Sequence, residues 1–327
     1  MLCSGGAPPP PFWTNAMKTR HLAVFCVLFL HFSSALACAA CGCMLSKDWQ
    51  IQGMGSSPGF TIGLSYDYVD QSQMRIGSGK ASGFALPNAQ EIEMRTRTSF
   101  TTLVGDYQGS GWGVNAQLPY VDRYHSTYPQ GSTALDSSNS SSLGDARILG
   151  RYTGFSKDGS NGIFLGAKLP TGPTSVNFAS GSPLDASLQP GTGSTDILFG
   201  GFHQGNINRL KLGWFIQGIV QHAISTRNDY RPGDAFNINV GIRYAKFGER
   251  IAPMLQFNFI RRISDSGANA TPLITGGDLA YLAPGVSLRL GDGTSAYAFI
   301  QIPVYQYVQG LQLTPTKIIS IGLLHAI

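Results

Sequence analysis

The chain has 327 residues, a formal net charge of +5 and a sequence pI near 8.9, yet only 13% of its residues are charged, against roughly 25% in ordinary soluble domains. With no basic patch to focus the small positive excess, that balance excludes a nucleic-acid binder. A mean hydropathy of zero would pass for a soluble protein, but so low a charge argues against an ordinary soluble domain, and with no long apolar run after the first forty residues the apolar residues must recur with a short period.

Residues 1–16, "MLCSGGAPPPPFWTNA", have no basic leader character and read as lying upstream of a true start at Met17. Residues 17–37 read as a secretory signal peptide: Lys18 and Arg20 form the basic region, Leu22 to Phe32 the apolar core, and Ala35-Leu36-Ala37 a small-x-small cleavage site. The core is shorter than the about 20 residues a membrane helix needs. Cleavage would leave Cys38 first, followed by Cys41 and Cys43 in a C-x-x-C-x-C spacing, with no cysteine afterwards. In an oxidising compartment this motif suits a disulfide or free thiols first. A metal or redox centre on Cys38, Cys41 and Cys43, completed by a ligand from elsewhere, ranks second. Acylation of Cys38 ranks third, because Leu36 stands in the wrong place for a lipobox. No other cofactor is expected, and residues 38–58 read as a Cys-containing tail on the periplasmic side.

From residue 59 the period is two. "GFTIGLSYDYVDQ" puts Phe60, Ile62, Leu64, Tyr66 and Tyr68 on one face and Thr61, Gly63, Ser65 and Asp67 on the other. Further dyad segments follow at about 91–106, 112–124, 145–155, 162–170, 195–204, 209–224, 235–246, 251–263, 279–290, 295–307 and 317–327, making twelve strands in all. The connections alternate in length. Long links at 71–90, 125–143, 171–194, 225–234, 265–278 and 308–316 alternate with tight turns such as "QGSG", "GNIN" and "GDG". Sorting of this kind is the sidedness of a bacterial outer-membrane barrel with short periplasmic turns and long extracellular loops. An unpaired edge costs several kcal/mol per backbone group in hydrocarbon, so the sheet must close. The expectation is an all-β fold, a single 12-stranded antiparallel transmembrane β-barrel over residues 59–327, in the bacterial outer membrane after signal cleavage.

Strand charges fall mostly on the small, polar face, and a lipid-facing Arg near the midplane would cost about 2–4 kcal/mol. Glu91, Glu93, Arg95, Arg97, Asp145, Arg147, Arg151, Lys168, Lys211, Arg243 and Arg289 are therefore expected to line the lumen. The pair Arg261-Arg262 is expected at headgroup depth. Aromatics near strand ends, among them Tyr107, Trp112, Phe155, Trp214 and Phe247, suit interfacial girdles. The last segment, "KIISIGLLHAI", alternates like the terminal signal read by the barrel-assembly machinery, an expected partner, but ends in Ile327 where an aromatic is usual.

The phrases "SLGDARILGRY" at 142–152, "GAKLPTGP" at 166–173, "LQPGTGSTDILFGG" at 188–201 and "YLAPGVSLRL" at 281–290 resemble outer-membrane proteins of the "MetA pathway of phenol degradation" family. The resemblance implies a small barrel linked to uptake of aromatic compounds. Gly172, Pro190, Gly191 and Gly193 within it suit either ordinary turns or a loop folded against the lumen.

These features point to a channel for passive uptake or release of small molecules, with hydrophobic or aromatic compounds and anions as candidate permeants and lipid as the surrounding partner. Eight of the eleven charges assigned to the lumen are basic, which favours anions. The alternative is a non-conducting barrel that partners a periplasmic redox or metal-handling system through its cysteines. An enzyme is not expected, since no His sits in a nucleophile motif.

Overall fold

A computed structural model describes residues 48–49, 52, 58–82, 91–129, 131–245, 250–291 and 293–327. Its strands are β1 Gly59–Gly77, β2 Gly79–Lys80, β3 Ile92–Gln108, β4 Trp112–Tyr128, β5 Asp136–Leu143, β6 Ala146–Tyr152, β7 Asn161–Leu169, β8 Thr195–Ile207, β9 Leu212–Ser225, β10 Ala235–Tyr244, β11 Ile251–Arg262, β12 Gly277–Gly291 and β13 Thr294–Ala326. Each ring strand pairs antiparallel with its neighbour, and β13 pairs with β1, so eleven strands form a closed barrel. β2 and β5 stand outside the ring, folded onto the end of β1 and the far half of β4. Closure follows from the dyad pattern, because a face that must meet hydrocarbon cannot leave a row of unpaired amides at an edge.

Along β1, Phe60, Ile62, Leu64 and Tyr66 are exposed outward, while Thr61, Ser65 and Asp67 are buried inside. The same inversion of a soluble core runs round the ring. Leu103, Leu165, Phe199, Ile300 and Leu323 are about half exposed on the outer wall, whereas Asn115, Gln256, Gln301, Gln312 and Ser320 are buried within. The inward polar groups bond one another: Asn258 Nδ2 donates to Gln301 Oε1 at 3.2 Å, and Ser320 Oγ to Asp67 Oδ1 at 2.6 Å. At the short-turn end Tyr107 and Trp112 pack 5.2 Å apart, and Tyr152 and Phe155 meet edge-on at 5.0 Å, where a girdle belongs. Phe247 lies outside the described residues.

Three expectations about the connections are corrected. The span 308–316 is not a loop but part of β13, whose 33 residues would reach roughly 110 Å if straight. Its first part pairs with β12, and from Leu311 onward it pairs with β1; Val308 opposes both Gly277 and Gly77. Gly310 takes φ 61 between the two parts, and a Cβ there would sit 2.3 Å from the Leu273 carbonyl oxygen, so glycine is required. The links expected at 71–90 and 125–143 are shortened, because β1 runs on to Gly77, β4 runs on to Tyr128, and β5 adds a hairpin.

Candidate functional site

The lumen is filled from both ends. At the short-turn half, Trp49 is buried among Tyr297, Phe299, Leu324, Val104 and Met254, with its ring centroid 6.2 Å from that of Tyr297. A Cβ on Gly63 would lie 2.3 Å from Trp49 Cη2, so the bare backbone of β1 opens the slot the indole occupies. Asp48 is clamped by Arg151 of β6 at 2.8 Å, and Arg151 also grips Asp106 of β3 through two further 2.8 Å contacts. Gln256 Nε2 donates to Gln52 Oε1 at 3.0 Å. Asp48, Trp49 and Gln52 therefore lie inside the barrel, whereas the rest of the tail expected at 38–58, apart from residue 58, lies outside the described residues. The physical reason is that a Trp and an Asp find in the lumen the apolar slot and the cation that solvent lacks.

At the long-loop half, the chain between β7 and β8 folds inward. Arg123 of β4 donates to the Leu188 carbonyl, and also to the Gln189 carbonyl at 3.3 Å. The Gln189 amide in turn closes the loop on itself, accepting from Val176 N–H at 2.8 Å and donating to the Leu184 carbonyl at 2.8 Å. Asp145 accepts from Thr192 N–H at 2.9 Å and Gly172 N–H at 3.1 Å. Gly172 and Gly191 lie backbone against backbone, and a Cβ on Gly191 would be 2.3 Å from the Gly172 oxygen. Of the two readings of these glycines, the close approach is the one observed. Gly193 has φ 66 and turns the chain back to the wall.

The eleven residues expected in the lumen separate by position. Glu91, Glu93, Asp145, Arg147, Arg151, Lys168 and Arg243 lie on the inward parity. Lys168 is held by Asp196 at 3.0 Å and Asp145 at 3.4 Å, and Arg243 Nε donates to Ser287 Oγ at 3.2 Å. Arg289 shares that parity but is exposed at the short-turn mouth. Arg95 and Arg97 do not line the lumen. A bulge between Glu93 and Arg95 shifts the register against β4 and turns the following odd-numbered residues outward. There Arg95 pairs with Asp70 through contacts of 3.0 and 2.9 Å, and Arg97 stacks 4.9 Å over the Tyr124 ring. Lys211 is also misplaced by the expectation: it closes the turn after the 3-10 helix Asn208–Leu210 with φ 52, exposed at the short-turn end.

Parity identifies further inward groups that the expected set omits. Arg123 and His125 continue the polar face of Asn115 and Gln117, and Arg262 continues that of Gln256 and Asn258; all three are buried. His125 shares a 2.8 Å hydrogen bond with Thr96 and lies 3.7 Å from Glu91, at the long-loop mouth. Burial raises the Glu91 carboxyl, but the neighbouring His125 and Thr127 side chains outweigh it and hold the group below the ordinary carboxylate range.

Between the two fillings a cavity of about 220 Å³ remains. Asp48 lies at one end of it, and Ser187, Gln189, Pro190 and Thr192 of the folded loop at another; the wall mixes Phe100, Leu149, Phe164 and Ile260 with Arg123, Arg147, Lys168 and Arg262. Cys38, Cys41 and Cys43 lie outside the described residues.

The barrel is similar in fold to the COG4313 outer membrane channel from Pseudomonas putida F1, with TM-score 0.60, 10% identity, and cover of 84% of this chain and 97% of that one. Weaker likenesses are to the Ralstonia pickettii toluene transporter TbuX, with TM-score 0.46, 10% identity, and cover of 83% and 90%, and to the translocator domain of the autotransporter NalP from Neisseria meningitidis, with TM-score 0.45, 10% identity, and cover of 85% and 94%. No family model and no curated protein sequence matches the chain. The likeness is one of fold, that of a closed outer-membrane-type β-barrel.

Proposed function

We propose that the protein is an outer-membrane channel for passive movement of small molecules, assembled by the barrel-assembly machinery after signal cleavage, with the long loops outside. The ring has eleven strands, and the last of them pairs with β12 through its first part and with β1 through its second. A barrel of that size lies between the about eight strands that side chains fill and the sixteen that leave an aqueous channel. The observation that carries the reading is the cavity within a lumen that collects the polar and charged side chains, inside a wall whose outer face is apolar. The likeness in fold to the Pseudomonas channel agrees with it. A structural network closing the lumen would bury the same charges, and conductance separates the two.

The purified chain in planar bilayers should give discrete conductance steps. These should grow when the folded loop is shortened or the segment through Gln52 is removed. Bare-bilayer current from all three forms would sink the channel reading. For Cys38, Cys41 and Cys43 we propose a disulfide or free thiols. Metal analysis of the purified chain beside Cys41→Ser tests this, and stoichiometric metal lost in the variant would overturn it.

A further inference from the structure

The cavity is not neutralised by its own walls. Its two carboxylates are already engaged, Asp48 by Arg151 and Asp145 by Lys168 and the backbone of the folded loop. Arg123 is spent on loop carbonyls. Arg147 is different. Among the described residues it makes a single hydrogen bond, a long one of 3.5 Å from Nη2 to Gln221 Oε1, and no carboxylate lies within ion-pair reach. Arg262, 6% exposed, has only Asp265 at 3.5 Å, and its Nε has no partner. A guanidinium withdrawn from bulk water without a counter-charge is costly, and a bound anion relieves that cost.

A second polar group points to the rest of the ligand. Gln217 is 5% exposed on the same cavity wall, and among the described residues its Oε1 has no hydrogen-bond partner. Gln217, Ile219 and Gln221 share the inward face of β9, so Ile219 lies between the Gln221 side, where Arg147 reaches, and the orphan acceptor. The remaining wall includes Phe100, Leu149, Phe164 and Ile260. A cavity of about 220 Å³ falls short of the roughly 300–1,000 Å³ that drug-sized ligands occupy. It suits a body the size of one ring.

We propose that this cavity is a binding site for a ring-sized organic monocarboxylate bearing a hydroxyl. The carboxylate would meet Arg147 in the fork geometry that guanidinium favours. The ring would lie against Ile219 and the apolar wall, and the hydroxyl would donate to Gln217 Oε1. Arg262 adds positive potential from across the barrel. This site deepens the channel reading and rests on it for its biological use, but its chemistry is testable without transport.

The test is isothermal titration of the full chain in detergent with 4-hydroxybenzoate, its methyl ester and benzoate. The acid is expected to bind at least about tenfold more tightly than the ester, because only the acid supplies the charge-assisted pair. Benzoate, lacking the hydroxyl, is expected to bind several-fold more weakly than 4-hydroxybenzoate. Arg147→Gln should abolish the preference for acid over ester. Gln217→Leu should abolish only the preference for the hydroxyl, and it serves if Arg147→Gln does not fold. Equal binding of acid and ester, an unchanged preference in Arg147→Gln, or no binding of any of the three would overturn the site. Conductance recorded on the same preparation keeps the two readings apart. Current without acid preference leaves the channel and removes the site; acid preference without current does the reverse.

Discussion

At the residue scale, the inward ion pairs decide how firmly the lumen is filled. Arg151 holds two buried carboxylates on different parts of the chain, and removing one partner of such a group leaves charge without compensation. Arg151→Ala should therefore destabilise the protein by about 3–5 kcal/mol, read as a lower thermal midpoint in detergent. Glu91 behaves differently, being at the mouth. Its folded value is depressed, so its contribution is fully present above the ordinary value near 4.5 and is lost as pH falls through the depressed value. Thermal midpoints measured from pH 6 down to 3 should show an acid step that Glu91→Gln lacks. Some of these residues were legible in the sequence: Arg123 and Arg262 follow the parity of their own strands. Arg95 and Arg97 were not, since the bulge that turns them outward is a mismatch with β4, and a mismatch belongs to two strands rather than one.

At the element scale, two segments occupy the lumen, each through a few contacts. Trp49 is lodged where Gly63 has no side chain. Both Trp49→Ala, which empties the slot, and Gly63→Leu, which fills it, should release the segment and raise single-channel conductance while the barrel's circular dichroism stays unchanged. The folded loop depends on the approach of Gly172 to Gly191. Gly191→Val forces those backbones apart and should enlarge the conductance in the same way; an unchanged conductance would show that the loop does not narrow the path. The glycines and prolines of this loop announce tight turning in the sequence, but not its direction. Inward folding is held by Arg123, which reaches the loop from β4, and by Lys168 at the end of β7 where the loop begins.

At the scale of the whole molecule, the closed ladder makes the outer wall cooperative. β1 and β13 stand at opposite ends of the chain, and the ring exists only once they pair. Truncation after residue 316 removes most of β1's partner and should yield a chain that no longer migrates as a compact, heat-modifiable band in unboiled electrophoresis. The sequence by itself determined the β class, the apolar exterior and the polar interior, because alternation is a local property that each strand carries regardless of its neighbours. It also placed most of the strand segments. Only the tertiary structure decided what fills the barrel, that Arg147 faces the cavity without a carboxylate in reach, and how residues 294–326 serve two neighbours. Those outcomes depend on register, bulges and contacts between residues more than a hundred positions apart, such as Asp48 with Arg151, and no periodicity read along one segment contains them.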